Sequence, residues 1–390
     1  MIPNAALCCL DDVHVLDFGM NIAGPQSTSL LSDLGADVIK VESPQGDTSR
    51  SFTPKVAGLS AMFAAMNRNK RYLALDLTHP NAAEVLDPLL RWADVVVQNL
   101  RPGKAGELGI SAEQCHDINP RIVHASVEAF YPAELTRPGY DLLVQAETGM
   151  MSLTGDPDGE PSRLPGSILD HVTGLWTAFG VLAALNGTRD RVALNISMSD
   201  VAQTLLADRV SAYLLSGDVP TRMGSAIGTS TPLQAYPTAD GEIVVGAVSD
   251  ALFRRLCAVV APDLNQEPEF ETVGGRVAHR DELNRRLSAA FAGDSAQAWY
   301  DRLDAVGVPV GRVRTMPDAV ARHRELSRTG LVEVPGMEGM EVVANPLGMR
   351  QSLPCPGALG ADSESIATEL LGLSKEQVQT LVADGVVLHR

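Results

Sequence analysis

Aromatic side chains make up only 4% of this 390-residue chain, and cysteines number five. With two of the five adjacent at Cys8 and Cys9, they suit neither a disulfide framework nor a spaced metal site, so they are expected to be reduced and buried, with no metal bound. Positive charge is also short. Against 48 acidic side chains stand 31 basic ones, a formal charge of -17 that repels nucleic acid and anionic membranes at long range. Neither is an expected partner, and any anionic ligand needs a local cluster of cations. The chain opens without a basic segment, its first apolar stretch is too short for a signal peptide, and no later run reads as approaching the roughly 18 apolar residues of a membrane helix. These absences predict a cytoplasmic protein.

Several signatures of familiar chemistry are missing too. The first βα turn, residues 17–25, reads D-F-G-M-N-I-A-G-P and lacks the G-x-G-x-x-G of a dinucleotide fold, which disfavours a nicotinamide enzyme. No G-x-x-x-x-G-K-[ST] loop, H-E-x-x-H pair or G-x-S-x-G elbow occurs, which weakens ATP-driven ligation, zinc hydrolysis and serine acyl transfer in turn. The chemistry must rest on plainer residues.

With 45% hydrophobic and 20% charged residues, the chain can bury a large core and form two domains. Short β-branched runs at 13–18, 36–42, 72–77, 94–100 and 121–127 read as strands. Helical patterns at 25–34, 59–66, 80–92 and 112–118 separate them, predicting an α/β, Rossmann-like domain with a largely parallel sheet that binds ligands at its strand C-termini. A helix at 171–185, a strand at 192–197 and one long helix at 200–215 follow. Beyond them, residues 221–238 are rich in Gly, Ser, Thr and Pro. A strand at 241–248 and helices at 250–260, 281–291 and 296–305 then predict a smaller α+β domain. The tail, 366–387, reads as largely helical, with Ser374 opening a helix.

Two basic segments stand out. Arg68, Lys70 and Arg71 precede one predicted strand, and Arg101 and Lys104 follow another. If they meet at the sheet edge they form a positive patch suited to phosphates; composition alone allows solvated loops equally well. Asp170 closes an apolar stretch and opens a helix, where the positive helix end favours the ionised form and a carboxylate is a competent nucleophile. An N-cap is the commoner role for such an aspartate. Asp141, beside Tyr140, stands between the same two readings. His171 reads as a helix-face residue.

Longer matches decide between these readings. They are V-L-D-F-x4-A-G-P-x8-L-G-A-D-V-I-K-V-E-S-P-x-G-D from Val15, N-R-N-K-R-Y-L-A-L-D-L from Asn67, A-D-V-V-V-Q-N-L-R-P-G from Ala93, N-P-R-I-V-H-A-S from Asn119, R-P-G-Y-D-L-L-V-Q-A from Arg137 and A-Y-P-T-A-D-G from Ala235. Across nearly its whole length the sequence resembles the family III CoA-transferases, the group that includes formyl-CoA:oxalate transferase, carnitine CoA-transferase and the α-methylacyl-CoA racemases.

The resemblance implies a subunit whose large domain contains both chain ends, and an interlocked homodimer. Residues 1–200 would form the first part of the large CoA-binding domain, 201–224 a helical linker, 225–315 the small domain, and 316–390 the return linker and last part of the large domain. Ile22 and Ala23, then Arg68, Lys70 and Arg71, then Asn99, Leu100, Arg101 and Lys104 would line the CoA site. CoA and acyl-CoA would be substrates, with no permanently bound cofactor. Asp170 falls at the family's nucleophilic aspartate, which attacks the acyl-CoA to give a mixed anhydride; returning CoA thiolate then gives an aspartyl thioester that the acceptor acid resolves.

Departures from the family pattern narrow the expectation. The racemases carry histidine where Tyr140 stands, and a phenol with an ordinary pKa of about 10 is a poor base near neutrality, so transfer is favoured over racemisation. Ile22 replaces the oxalate enzyme's catalytic-loop glutamine, Leu100 an aromatic, and Ala129 and Tyr131 glycines; the glycine run over the acyl site is absent from residues 224–232. Oxalate is therefore not the expected acceptor. The expectation is CoA transfer from an acyl-CoA such as succinyl-CoA to a small organic acid such as a C4 or C5 dicarboxylate, with Asp170, Asp141 and Tyr140 at the catalytic site. The alternatives are an α-methylacyl-CoA racemase using Asp170 in proton transfer, or a non-catalytic acyl-CoA-binding protein.

Overall fold

In the computed structural model, which describes residues 9–134, 136–335, 337–347 and 356–388, the chain divides into two compact units. The larger takes residues 1–150, 164–217 and 323–390, and the smaller takes 151–163 and 218–322.

In the large unit, β1 (His14–Asp17) leads into α1 (Ala23–Asp33) and β2 (Asp37–Glu42). A two-stranded hairpin, β3 (Lys55–Val56) with β4 (Leu59–Ser60), precedes α2 (Ala61–Met66) and β5 (Lys70–Leu75). Next come α3 (Ala83–Trp92), β6 (Val95–Gln98), α4 (Lys104–Glu107), α5 (Ala112–Ile118) and β7 (Val123–Glu128). The unit continues with α6 (Asp141–Glu147), α7 (Ile168–Leu185), β8 (Val192–Ser197), α8 (Met198–Leu205) and α9 (Ala207–Ser216). The sheet runs β5-β2-β1-β6-β7-β8, all parallel, with the strand Val387–Leu388 antiparallel on the outer edge of β5. This is the 3-2-1-4-5-6 order of the doubly wound fold, whose ligand crevice lies where the order reverses, here between β1 and β6.

Alternation along the strands sends side chains to two covered faces. Leu16, Ile39, Leu73 and Val96 point into a core with Val85, Leu89 and Ile110, while Val15, Val38, Val95 and Val97 face Leu31 of α1 and Ala178 and Val181 of α7. The returning chain closes the β5 edge with side chains as well as a strand: Asp362 accepts from the amide of Tyr72 at 2.8 Å and Ser363 from that of Ala74 at 3.2 Å.

The small unit holds a three-stranded antiparallel sheet of Leu233–Pro237, Glu242–Gly246 and Val310–Arg312, backed by helices. Aromatic rings pack together in its core. Phe291 packs against Tyr236 at 5.1 Å and Trp299 at 5.3 Å between ring centres, and the Trp299 indole donates to the Phe291 carbonyl at 2.8 Å.

Four expectations need correction. The helix predicted at 200–215 is two, broken at Leu206, whose φ of -96° and ψ of 12° leave the helical region. The tail is largely helical as expected, with a π-helix at Ile366–Leu370 and an α-helix at Lys375–Ala383 capped by Ser374, but at Val387 it turns into a strand, because the open edge of β5 offers a backbone partner. α7 is 18 residues long with a mean hydropathy of 1.5, enough by length and composition to cross a membrane, although it carries Asp170 and His171 near its start. Finally, Cys9 is exposed while Cys115 and Cys257 are buried, all three as free thiols; Cys8 and Cys355 lie outside the described residues.

Candidate active site

Strand β1 ends in a buried carboxylate that organises the crevice. Asp17 receives the Lys70 ammonium at 2.8 Å, the Thr28 hydroxyl at 2.8 Å and the backbone amide of Gly19 at 2.8 Å. Burial opposes its ionisation, but Lys70 and Lys40 together outweigh that and hold it below the usual carboxylate range. The Lys40 ammonium, itself buried, donates to the Gly19 carbonyl at 2.8 Å and pairs with Asp47 at 3.0 Å. From β6, Asn99 grips the same turn through both ends of its amide, accepting from Met20 N at 2.7 Å and donating to Met20 O at 2.9 Å. The turn between β1 and α1 is thus staked on three sides without a glycine-rich fingerprint.

Beside it a cleft of about 290 Å³ opens at the C-terminal ends of β1, β2, β5 and β6, lined by Phe18, Met20, Val41, Leu77, Leu100 and Lys104 among others. Leu100 forms part of its wall, and Lys104 pairs with Glu107 at 2.9 Å on its rim. Arg101 is exposed and makes no ion pair among the described residues. Ile22 caps α1 without a side-chain bond, and Ala23 opens that helix, buried.

The two basic segments do not meet. β5 and β6 lie parallel in one sheet, so a segment entering β5 and a segment leaving β6 sit at opposite edges. Arg68 is spent on Asp33, at 3.1 and 2.5 Å, and on the Ala65 carbonyl. Arg71 pairs with Asp37 at 3.1 and 2.5 Å. Lys70 is fully buried among Asp17, the carbonyls of Pro25 and Met66, and Asn67, so its work is internal; burial lowers it to about 8 although Asp17 pulls the other way.

Asp170 is the third residue of α7, not its cap. Ser167 holds the cap position at a left-handed φ of 50° and makes no side-chain bond. The capping is done from another helix: Asp141, the buried first residue of α6, accepts from the amides of Leu169 at 2.7 Å and Asp170 at 3.4 Å, and is held by Gln145. That leaves the half-buried Asp170 carboxylate free for chemistry. Its ionisation is not favoured, contrary to the helix-end expectation. Burial first, and then the Asp141 charge, push it up to about 7. Tyr140 caps α6 with its ring exposed. His171 is shifted down by burial, against the pull of Asp141.

A carboxylate raised toward neutrality on α7, which packs against α1 beyond the anchored βα turn, in a unit that also opens a cleft at its strand C-termini, suits acyl transfer on a nucleotide-bearing substrate. A sequence model of CoA-transferase family III matches residues 10–361. The chain belongs to the family III CoA-transferases. It is 31% identical to succinyl-CoA:glutarate CoA-transferase of Mus musculus, over 97% of this chain and 90% of that one. To succinyl-CoA–D-citramalate CoA-transferase of Chloroflexus aurantiacus it is 32% identical, over 97% and 98%. Among solved structures it resembles a CaiB/BaiF family protein from Brucella suis, with a TM-score of 0.82 and 30% identity over 93% of this chain and 99% of that one. The protein is an enzyme of the CoA-transferase type.

Within this family III enzyme, sequence reasoning missed Asp17, Lys40 and Asp47 as site builders. Their signal lay in the matched V-L-D-F and K-V-E-S-P-x-G-D segments: three charged residues set among strand-forming apolar neighbours or in the turn that follows, where a charge is tolerated only if paired.

Proposed function

We propose that the protein moves CoA from succinyl-CoA to a C4 or C5 dicarboxylic acid through covalent chemistry at Asp170. The freed carboxylate of Asp170, raised to about 7, carries this reading; the names of the relatives, which pair succinyl-CoA with glutarate and D-citramalate, supply the substrate class.

An Asp170 oxygen attacks the thioester carbonyl carbon, the C–S bond breaks, and CoA leaves as thiolate from a mixed anhydride. The thiolate then attacks the Asp170 carbonyl, releasing succinate and leaving an aspartyl thioester. The acceptor carboxylate attacks that carbonyl and expels the thiolate, which takes the new acyl group and restores the Asp170 carboxylate. Each step exchanges one activated acyl bond for another, so no ATP is consumed. A carboxylate that titrates near neutrality is more basic than an ordinary one, and a stronger nucleophile once ionised. The cleft beside β1 and β6 would take the nucleotide end of CoA, with Leu100 against apolar surface and Arg101 and Lys104 toward phosphate.

The reading includes a homodimer. Leu175 and Phe179 of α7 and Leu214 and Leu215 of α9 are 56%, 60%, 76% and 91% exposed, apolar surface that a second copy would cover. A monomer in sedimentation at micromolar concentration would contradict it.

Mixing the protein with succinyl-CoA and a panel of dicarboxylates, followed by mass spectrometry, should reveal new CoA thioesters. Hydroxylamine or borohydride trapping should label Asp170. No exchange with any acid, together with no labelling, would overturn the proposal.

A further inference from the structure

Asp47 lies in the cleft wall, yet its carboxylate is fully taken up by protein groups. It accepts from the amide of Asn21 at 3.2 and 3.3 Å, from Ser49 N and Oγ at 2.8 Å each, and pairs with Lys40 at 3.0 Å. Its own amide donates to Glu42 at 2.9 Å, and Glu42 is gripped by Arg50 at 2.7 and 2.6 Å. Asn21 has a φ of 61°, a left-handed conformation that asparagine tolerates better than other non-glycine residues and that local hydrogen bonds hold in place. Asp47 holds it through the backbone, and Thr48 donates to the Asn21 side chain at 2.7 Å.

What Asn21 connects gives this lock a purpose. On one side Met20, a cleft residue, is clamped by Asn99. On the other, Ile22 caps α1, whose first turn meets α7 without slack. A Cβ on Gly174 would stand 2.9 Å from the Ala23 carbonyl and 2.8 Å from Gln26 Cγ. Gly174 lies one helical turn beyond Asp170.

We propose that Asp47 is a positioning residue that couples the CoA cleft to the nucleophile: by fixing Asn21 it fixes the first turn of α1, and with it the stance of the helix that carries Asp170. This rests on the reading of Asp170 as the nucleophile. Asp47 touches no reacting atom, and its effect is on alignment.

The test compares Asp47→Asn, in which an amide nitrogen faces Lys40 and the Asn21 N–H, with Asn21→Val, which leaves the Lys40–Asp47 pair intact but drives residue 21 out of the left-handed region. Turnover with succinyl-CoA and glutarate should fall about tenfold or more in both, by several-fold more than any loss of affinity for free CoA measured by calorimetry. Adding Asn21→Gly to Asp47→Asn should restore part of the turnover, because glycine adopts the required conformation without help. Turnover unchanged in both variants, or turnover falling by no more than CoA affinity does, overturns the proposal. Hydrogen exchange provides an arm that needs no activity: Asp47→Asn should raise exchange in residues 19–26 and also in 168–178, and a rise confined to 19–26 refutes the coupling. Wild-type protein that exchanges no CoA would sink the functional reading alone, leaving hydrogen exchange to decide the coupling.

Discussion

Replacing Asp170 by asparagine probes the burial of the carboxylate and its chemistry together. Burial, then the charge of Asp141, lifts the group from an ordinary 3.8 to about 7. Between about pH 4 and 7 the folded protein therefore keeps a proton that the unfolded chain has lost, so unfolding releases a proton and stability declines as pH rises through that window. Below it both states are protonated and no penalty exists; above it both are ionised and the penalty is complete. At about 1.36 kcal/mol per pKa unit the ceiling is about 4 kcal/mol. Solvent reaching a half-buried side chain reduces this to about 2 kcal/mol. Asparagine carries no charge to desolvate, so the variant should be about 2 kcal/mol more stable than wild type at pH 8, a rise of a few degrees in thermal midpoint. The gap should close as the pH approaches 4. The same variant should lose CoA exchange by about three orders of magnitude or more. Thermal scans at pH 4.5, 6 and 8, with thioester exchange followed by mass spectrometry, measure both. Equal midpoints at pH 8 would show that the carboxylate suffers no desolvation in the fold, and exchange within about tenfold of wild type would remove it as the nucleophile.

Other perturbations follow from the same contacts. Asp141→Asn removes the second influence that raises Asp170, so the acid limb of the pH–rate profile should move to lower pH; a limb that stays in place would show that the Asp141 charge is not felt. Lys70→Met leaves Asp17 buried without its nearest cation and should cost about 3–5 kcal/mol in thermal or urea unfolding. Stability close to wild type would mean that Asp17 does not depend on that pair. Gly174→Ala forces a methyl against the Ala23 carbonyl and Gln26, for about 1–3 kcal/mol, visible in the same melts. Arg101→Glu should weaken CoA binding about tenfold by calorimetry, with an unchanged circular dichroism spectrum, because the exposed guanidinium pairs with no other described residue.

The alternation of strands and helices in the first half was readable because each element carries its own periodicity: the strands predicted at 13–18, 36–42 and 94–100 contain the observed β1, β2 and β6. The separation of N-R-N-K-R from N-L-R-P-G-K was also within reach, since in a parallel sheet a segment before one strand and a segment after another lie at opposite edges; treating the two as one patch ignored strand direction. Partner choice was different. Lys70 and Asp17 are 53 residues apart, Arg68 and Asp33 are 35, and the amide of Asp170 meets Asp141 across 29. No local pattern encodes such pairs, because the energy that selects them appears only when the fold brings a buried cation and a buried anion together and removes water from both. For that reason a helix-opening aspartate read in isolation looks like a cap. In the fold, Asp141 arrives from α6 to cap α7 instead, and the same arrival crowds a second negative charge against Asp170. One long-range contact thus frees the carboxylate and makes it more basic, and both effects suit the role proposed for it.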